Sequence, residues 1–186
     1  TTVVEFDSHH GGSWLPALLA HGLVEVGQGP ADLVVDVHGL VHDDDTAAAL
    51  AERVSRVAPG GRFALEFHHL LALVEGGQFD TVRHGHPVYL SLLALQPALA
   101  RLGMDVVSAR REDVVGGSLV VVAARTDDED ARPDASVAQV LEAERAAGLD
   151  DPARLRGLQQ RAERSGAALR AWLEQARAQG RTVLGY

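Results

Sequence analysis

Cysteine is absent from the sequence, which excludes disulfide bonds, thiolate zinc sites and a cysteine nucleophile. Aromatic residues make up only 4% of the chain, whereas hydrophobic residues together reach 46%. A core built mainly of Ala, Val and Leu favours layered packing of strands and helices. No apolar run approaches the roughly 20 residues that cross a bilayer, and residues 1–5 lack the basic start of a signal peptide. We therefore expect a cytoplasmic protein that has no membrane partner.

Basic residues are fewer than acidic ones. The chain has 17 Lys and Arg against 26 Asp and Glu, which gives a formal net charge of -9. An acidic surface repels phosphate backbones, so we expect no nucleic-acid partner. The length of 186 residues suits one domain with an appendage.

Apolar, β-branched runs alternate with helical segments rich in Ala and Leu. The clearest strand is residues 31–37, a nearly continuous β-branched run that is typical of a strand buried on both faces. Further strands are predicted at residues 3–6, 23–26, 62–67, 105–110 and 118–124, and helices at 14–20, from about 45 to 57 and at 90–102. This alternation predicts an α/β fold with a mostly parallel sheet, helices on both faces and an antiparallel edge.

The composition of the chain changes at Thr126. Residues 126–135 are acidic and contain a proline, which predicts a linker after a first domain of residues 1–125. Two helices, 136–147 and 152–179, are predicted in the remaining segment, and the second has an apolar stripe that suits a core or a partner helix. Residues 136–186 are therefore expected to form a helical appendage, with a surface for a homo-oligomer or a partner protein.

One segment resembles a known family. Residues 79–91 read F-D-T-V-R-H-G-H-P-V-Y-L-S and are similar to the F-D-T-I-Y-H-E-H-L-S-Y-F-S stretch of the S-adenosylmethionine-dependent nucleotide-sugar C-methyltransferases. The similarity continues in Pro-Gly-Gly at 59–61 and in Gly-Gly-Ser-Leu at 116–119. It implies a Rossmann-like class I methyltransferase sheet with a C-terminal helical segment.

The resemblance also implies a function. Such an enzyme of bacterial deoxysugar or natural-product biosynthesis takes S-adenosylmethionine as cofactor. Its small-molecule substrate is a sugar nucleotide or a natural-product intermediate. The family's cysteine-rich zinc module has no counterpart here, and the segment after residue 136 resembles the bridge into a C-terminal domain that is then truncated. The chain is thus expected to be a diverged member.

The cofactor loop departs from the family pattern. The family's V-L-E-I-G-S-N-D-G reads V-V-E-F-D-S-H-H-G at residues 3–11, so a glycine has become Asp7, whose side chain takes up ligand space. The ribose-binding acid of V-G-V-E-P-S has become Gly29. A helix and a strand that the family places next have no counterpart after Pro30. We therefore predict a degraded site with weak or lost cofactor binding.

Four residues stand at or beside the positions that hold the cofactor in the family, and they are the cofactor-binding candidates: Glu5, Asp7, Gly11 and His42. Glu5 keeps the acid at the end of the first strand, and His42 matches a histidine near the cofactor.

The resemblance assigns proton transfer to His86, which matches the second histidine of the family's His-Glu-His. In the family this residue takes a proton next to the keto group of the sugar, so that the carbanion can attack the methyl group. An imidazole with a pKa near ~6.5 suits that task at neutral pH. The family's Tyr and Glu in this block are Arg83 and Gly85 here. The catalytic candidates are therefore His86, His84, Arg83 and Tyr89.

No metal site is predicted. Adjacent histidines at 9–10 and 68–69 would point to opposite faces of a strand, so neither pair chelates an ion by itself.

Three functions remain open. The chain is a sugar C-methyltransferase with diverged cofactor use, a repurposed non-methylating enzyme that uses His86 for acid–base chemistry on a carbonyl substrate, or a pseudoenzyme that binds a partner through the helices after Ser136.

Overall fold

A computed structural model describes residues 1–7, 12–129 and 131–185, with the backbone alone of Arg154. Within these ranges the chain forms one six-stranded sheet. The strands are β1 Thr2–Phe6, β2 Val24–Glu25, β3 Ala31–Val37, β4 Val57–His68, β5 Met104–Glu112 and β6 Ser118–Arg125. The helices are α1 Leu15–Ala20, α2 Thr46–Ser55, α3 Leu70–Gly76, α4 Leu92–Arg101, α5 Ala135–Ala146 and α6 Pro152–Ala178.

The strand order in the sheet is β2-β1-β3-β4-β6-β5. β1 pairs in parallel with β2 and β3, and β3 pairs in parallel with β4. β6 is antiparallel to both β4 and β5. The predicted mostly parallel sheet with an antiparallel edge is therefore confirmed.

β2 is much shorter than the predicted strand and lies at one end of the sheet. It pairs Val24 with Thr2 and Glu25 with Val3, at the start of β1. The chain then turns through Gly29, which has a φ of +80°, and enters β3 at Ala31. Since a strand rises about 3.3 Å per residue, the turn after β2 lies roughly 10 Å from the carboxyl end of β1.

β4 begins earlier than predicted and contains a bulge. Ala31 of β3 pairs with Val57, but Leu33 pairs with Arg62, so residues 58–61 loop outward between the two pairs. The Pro-Gly-Gly segment at 59–61 lies in that bulge. Beyond it, β4 runs regularly beside β3 and β6.

The core has two parts, one on each face of the sheet. The larger part packs α2, α4 and α5 against Phe63, Phe67 and Leu119. The smaller part packs α1, through Leu15 and Leu18, against the other face. Helices therefore cover both faces, as the α/β alternation predicts.

α3 is an element that the sequence analysis did not predict. It is a short apolar run that follows His69, which makes no side-chain capping bond, and it ends at Gly77 in the left-handed conformation. By contrast, α2 and α4 follow Asp45 and Ser91, whose side chains accept hydrogen bonds from the first turn. Such capping residues mark a helix start in the sequence, and α3 lacks one.

The last two helices have different surroundings. α5 buries Val137, Val140 and Leu141 in the larger core, whereas α6 is mostly exposed. Arg161 of α6 donates to the backbone oxygen of Val74 at 2.7 Å, near the end of α3. In the part of the chain that the structure describes, no helix is long and apolar enough to cross a membrane. The division of the chain at 126–135 remains a prediction.

Candidate functional site

A pocket of about 120 Å³ lies beyond the carboxyl ends of β3 and β4. In open α/β sheets, ligands bind outside the carboxyl ends of the strands. The residues that line the pocket are His38, Val41, His42, His68, Thr81, Arg83, His86, Val88, Tyr89 and Val115. Four imidazoles therefore face one space, and no carboxylate is among these lining residues.

His42 and His86 meet in this pocket although 44 positions separate them. Their ring centroids are 4.7 Å apart in an edge-to-face arrangement. Nδ1 of His42 lies 2.7 Å from the backbone oxygen of Gly85. Because a carbonyl only accepts hydrogen bonds, Nδ1 of His42 carries the hydrogen. The glycine that replaces the family's glutamate thus orients His42 through its backbone.

Tyr89 fixes the loop that carries His86. Its hydroxyl donates to the backbone oxygen of Thr81 at 3.0 Å and accepts from the backbone nitrogen of Arg83 at 3.0 Å. The ring of Tyr89 lies 5.8 Å from that of His86, centroid to centroid. Since the single hydroxyl hydrogen is used within the loop, Tyr89 positions His86 and is not a free donor to a ligand.

The surroundings of His86 favour its neutral form. Burial lowers the pKa of His86 below its usual value, and the nearby His42 and Arg83 act in the same direction. Burial also lowers the pKa of His68, which lines the same pocket. A neutral imidazole at neutral pH can accept a proton, so His86 has the state that a general base requires.

A buried carboxylate lies behind the pocket. Oε1 of Glu66 is 3.4 Å from Nε2 of His38, and both side chains are 8% exposed. The interaction with His38 is the largest cause that lowers the pKa of Glu66. Oγ of Ser118 is also 3.4 Å from Nε2 of His38. Glu66 is thus an ionised group that orients one histidine of the pocket.

A second buried carboxylate shapes the chain where it leaves β3. Asp36 accepts hydrogen bonds from the backbone nitrogens of Gly39 and Leu40 at 2.8 and 3.1 Å and forms an ion pair with Arg53. Gly39 is required here because a Cβ would lie 2.8 Å from the backbone oxygen of Asp7. This tight turn places His38 at the pocket.

The predicted site residues separate into two groups. The structure brings His42, Arg83, His86 and Tyr89 together in the pocket. His84 is exposed and is not among the lining residues.

The cofactor-loop residues lie elsewhere. Glu5 accepts from the backbone nitrogen of Trp14 at 2.7 Å, so its carboxylate holds the start of α1. Asp7 follows β1, is exposed and does not line the pocket, and Gly11 lies outside the described residues.

Sequence reasoning missed His38, Glu66, Ser118 and Val115. For His38 a signal existed, because a histidine directly after a buried parallel strand stands at the edge where ligands bind. Glu66 lies in β4 beside Val37 of β3, so its contact with His38 is set by strand pairing. Val115 gave no signal, since its left-handed conformation, with a φ of +51°, is visible only in the structure.

The sequence analysis predicted no metal site at the histidine pairs 9–10 and 68–69. His68 lines the pocket, whereas Nε2 of the fully buried His69 is 2.7 Å from Glu144. Residues 9 and 10 lie outside the described ranges. Within those ranges, no group of three or more His, Asp or Glu side chains is arranged to hold a metal ion.

Comparisons with known proteins identify relatives of the chain. The family model of the C-methyltransferase C-terminal domain matches residues 113–186. The C-methyltransferase NovU of Streptomyces niveus is 36% identical over 159 residues, which cover 85% of this chain and 37% of NovU. The chain therefore spans little more than a third of the length of that relative.

Solved structures of methyltransferases and of a methyltransferase complex align with the chain. A chain in the complex of the Haloferax volcanii Trm112 methyltransferase activator with a methyltransferase aligns with a TM-score of 0.50 and 12% identity over 67% of this chain and 82% of that chain. The 1,6-didemethyltoxoflavin-N1-methyltransferase of Burkholderia thailandensis, solved with its substrate and S-adenosylhomocysteine, aligns with a TM-score of 0.46 and 17% identity over 68% and 71% of the two chains. The alignment at a TM-score of 0.50 shows that the chain has a Rossmann-like fold.

Proposed function

Since the chain is related to the C-methyltransferases and its residues 113–186 match their C-terminal domain, we propose that it is a methyltransferase-like enzyme of bacterial deoxysugar or natural-product biosynthesis. Its substrate is a small carbonyl compound, a sugar nucleotide or a natural-product intermediate. The observation that carries this proposal is the pocket in which His42, Arg83, His86 and Tyr89 converge.

The proposed chemistry begins with proton removal. His86, kept neutral by burial and by its cationic neighbour Arg83, takes a proton from the carbon next to the carbonyl. The guanidinium of Arg83 stabilises the negative charge that develops in the substrate. Tyr89 holds the loop and so keeps the imidazole in place. A sugar C-methyltransferase and a non-methylating enzyme share this step.

The residues present do not fit the adenosine half of S-adenosylmethionine, the donor of the methyl group in the family. A ribose anchor must stand at the carboxyl edge of the sheet, but the turn after β2 lies at the start of β1. The backbone oxygens of Gly27 and Gly29 in that turn accept from Arg56 at 3.4 and 2.6 Å. The carboxylate that would bind the ribose is replaced by Gly29.

This arrangement favours a second candidate function, a repurposed enzyme that performs acid–base chemistry on a carbonyl substrate without methyl transfer. We accordingly propose that the chain binds S-adenosylmethionine weakly or has lost this binding. The chemistry of the pocket does not depend on that turn, because the pocket lies at the ends of β3 and β4, and β1 separates β2 from β3 in the sheet.

The test measures proton exchange and methyl transfer separately. The chain is incubated in D₂O with a dTDP-linked keto-deoxyhexose, with and without S-adenosylmethionine that carries a labelled methyl group. We expect deuterium to enter the carbon next to the keto group without transfer of the label. Transfer of the labelled methyl group during turnover would instead identify the chain as an ordinary methyltransferase. If neither reaction is observed, the remaining candidate is a pseudoenzyme that binds a partner through α6, where Leu169, Trp172 and Leu173 are exposed.

A further inference from the structure

We propose that His38, oriented by Glu66, is a second proton-transfer residue of the pocket, which donates a proton to the carbonyl oxygen while His86 takes one from the adjacent carbon. This inference rests on the proposed function, because it assigns another residue to the same carbonyl chemistry. It places an acid and a base around a single substrate group.

The hydrogen-bonding groups around His38 determine which ring nitrogen carries a fixed hydrogen. Nε2 lies 3.4 Å from a carboxylate oxygen of Glu66 and 3.4 Å from the hydroxyl of Ser118. A carboxylate only accepts, and Ser118 can donate its single hydrogen to the backbone oxygen of Val114 at 3.2 Å. Nε2 of His38 is therefore the N–H that faces Glu66. Nδ1 has no partner among the residues that the structure describes, and it remains for a ligand.

The pairing of a carboxylate with an imidazole is the arrangement that orients histidines for proton transfer in other enzymes. The sequence lacks such an orienter for His86, since the glutamate of the family motif is Gly85. The structure supplies one in the same pocket, on a different histidine. Glu66 is 6% exposed, so its charge is poorly screened by water and acts strongly on the ring of His38.

The backbone of His38 is also held in an uncommon conformation. Among the described residues, the non-glycine residues with a positive φ are His38, at +61°, and Val115, at +51°. Both of them line this pocket. Strained backbone persists where the surrounding structure imposes it, and it concentrates at functional sites. The backbone nitrogen of His38 donates to the backbone oxygen of Glu66 at 2.8 Å, which fixes the residue at the end of β4.

The charged neighbours of the two histidines differ as this division of roles requires, because Arg83 stands near His86 and Glu66 stands near His38. Burial and a neighbouring cation lower the pKa of His86, so His86 is neutral and accepts a proton. The carboxylate of Glu66 stands against His38, 3.4 Å from its Nε2, so it can hold the ring while Nδ1 passes a proton to the substrate. A cation beside one histidine and a carboxylate beside the other suit a base and an acid in one site.

The proton balance of the step is closed. The C–H bond next to the carbonyl breaks, and its proton bonds to His86. The electron pair of that bond forms the C=C bond of the enol, while the carbonyl π electrons take the proton from Nδ1 of His38. His38 ends neutral with its hydrogen on Nε2, and the reverse step returns both protons.

Two substitutions test the proposal by deuterium exchange of the dTDP-linked keto-deoxyhexose. His38→Asn removes the imidazole and keeps a residue type that tolerates a positive φ, and Glu66→Gln removes the charge at nearly constant shape. General acid catalysis contributes roughly 10²–10⁴-fold, so we expect His38→Asn to lower kcat for exchange about 100-fold with a small change in KM. Glu66→Gln is expected to lower kcat about tenfold, in keeping with a positioning residue. His21→Asn, an exposed position after α1, is the matched control and should be unchanged.

The protonation of His38 supplies a readout that a structural role alone would not move. In ¹⁵N-labelled protein, the His38 signals, assigned by their loss in His38→Asn, should show hydrogen on Nε2 and should shift in Glu66→Gln. Unchanged His38 signals in Glu66→Gln would overturn the role of Glu66. Full exchange activity in a folded His38→Asn would overturn the role of His38 while the proposed function stands. A wild-type chain that catalyses no exchange would overturn both.

Discussion

The carboxylate of Glu144 lies 2.7 Å from Nε2 of His69, although the two residues are 75 positions apart. The same carboxylate accepts from the backbone nitrogens of Leu92 and Leu93 at 2.6 and 2.8 Å, and Glu144 and His69 are fully buried. An acid from α5 therefore satisfies the first turn of α4, where unpaired N–H groups and the helix dipole favour a negative charge.

Replacing Glu144 should test how far α5 belongs to the core. Glu144→Ala leaves two buried donors and the partly buried backbone nitrogen of Leu93 without a partner, and each buried donor costs about 1–3 kcal/mol. We expect the free energy of unfolding to fall by about 3 kcal/mol or more in urea denaturation. Glu142→Ala, at an exposed position of the same helix, should change it by less than about 0.5 kcal/mol. Equal effects of the two changes would contradict this account.

The strained conformation of Val115 predicts a stabilising substitution. A β-branched residue at a φ of +51° costs about 1–3 kcal/mol, and asparagine tolerates this region far better. Val115→Asn should therefore raise the Tm by roughly 2–4 °C for each kcal/mol recovered in a chain of this size. The exposed neighbour Val114 has no positive φ, so Val114→Asn should give no such rise in the same thermal scan.

The cofactor-binding residues predict weak affinity for S-adenosylmethionine. The proposed loss of the ribose anchor at Gly29, together with Asp7 in place of the family's glycine, predicts a Kd of about 0.1 mM or weaker in isothermal titration, roughly 100-fold above that of a working site. Asp7→Gly should tighten binding, because it removes a carboxylate and restores the room that a glycine leaves. A low-micromolar Kd for the unaltered chain would show that the cofactor is held by other means.

His86 should control the exchange reaction and its pH dependence. His86→Asn keeps size and polarity but removes the basic nitrogen, so exchange should fall by roughly 10²–10⁴-fold in a protein with unchanged circular dichroism. Because the pKa of His86 is lowered, its neutral form persists as the pH falls below the ordinary histidine range. The acidic limb of kcat/KM should therefore lie below about pH 6.5.

Arg83→Gln provides a direct test of one cause of that shift. The positive charge of Arg83 contributes to the lowered pKa of His86, so its removal should move the acidic limb to higher pH. Arg101→Gln, at an exposed position at the end of α4, should leave the limb in place. An acidic limb that does not move in Arg83→Gln would mean that a group other than His86 controls it.

Local sequence patterns predicted much of the fold. β3 has the predicted bounds because a continuous β-branched run specifies a buried strand wherever it pairs. The shortness of β2 was not predictable, because residues 23–26 have a strand-like composition throughout. Only Val24 and Glu25 pair with β1, since the chain then turns to enter β3 at Ala31. α3 was missed because a seven-residue, mostly apolar run without a cap fits a strand as well as a helix.

By itself, the sequence determined the class of the fold and one motif of the site. Hydrophobic periodicity and capping residues act over a few positions, so the α/β alternation could be read directly, whereas His86 was singled out by the resemblance of residues 79–91 to a family motif. Tertiary structure alone decided which side chains contact each other in the pocket. The pairing of His38 with Glu66 depends on the register between β3 and β4, and the contact of His42 with His86 depends on where two separate loops cross the carboxyl edge. Register and loop crossing are set by hydrogen bonds and packing between distant segments, which no local pattern encodes.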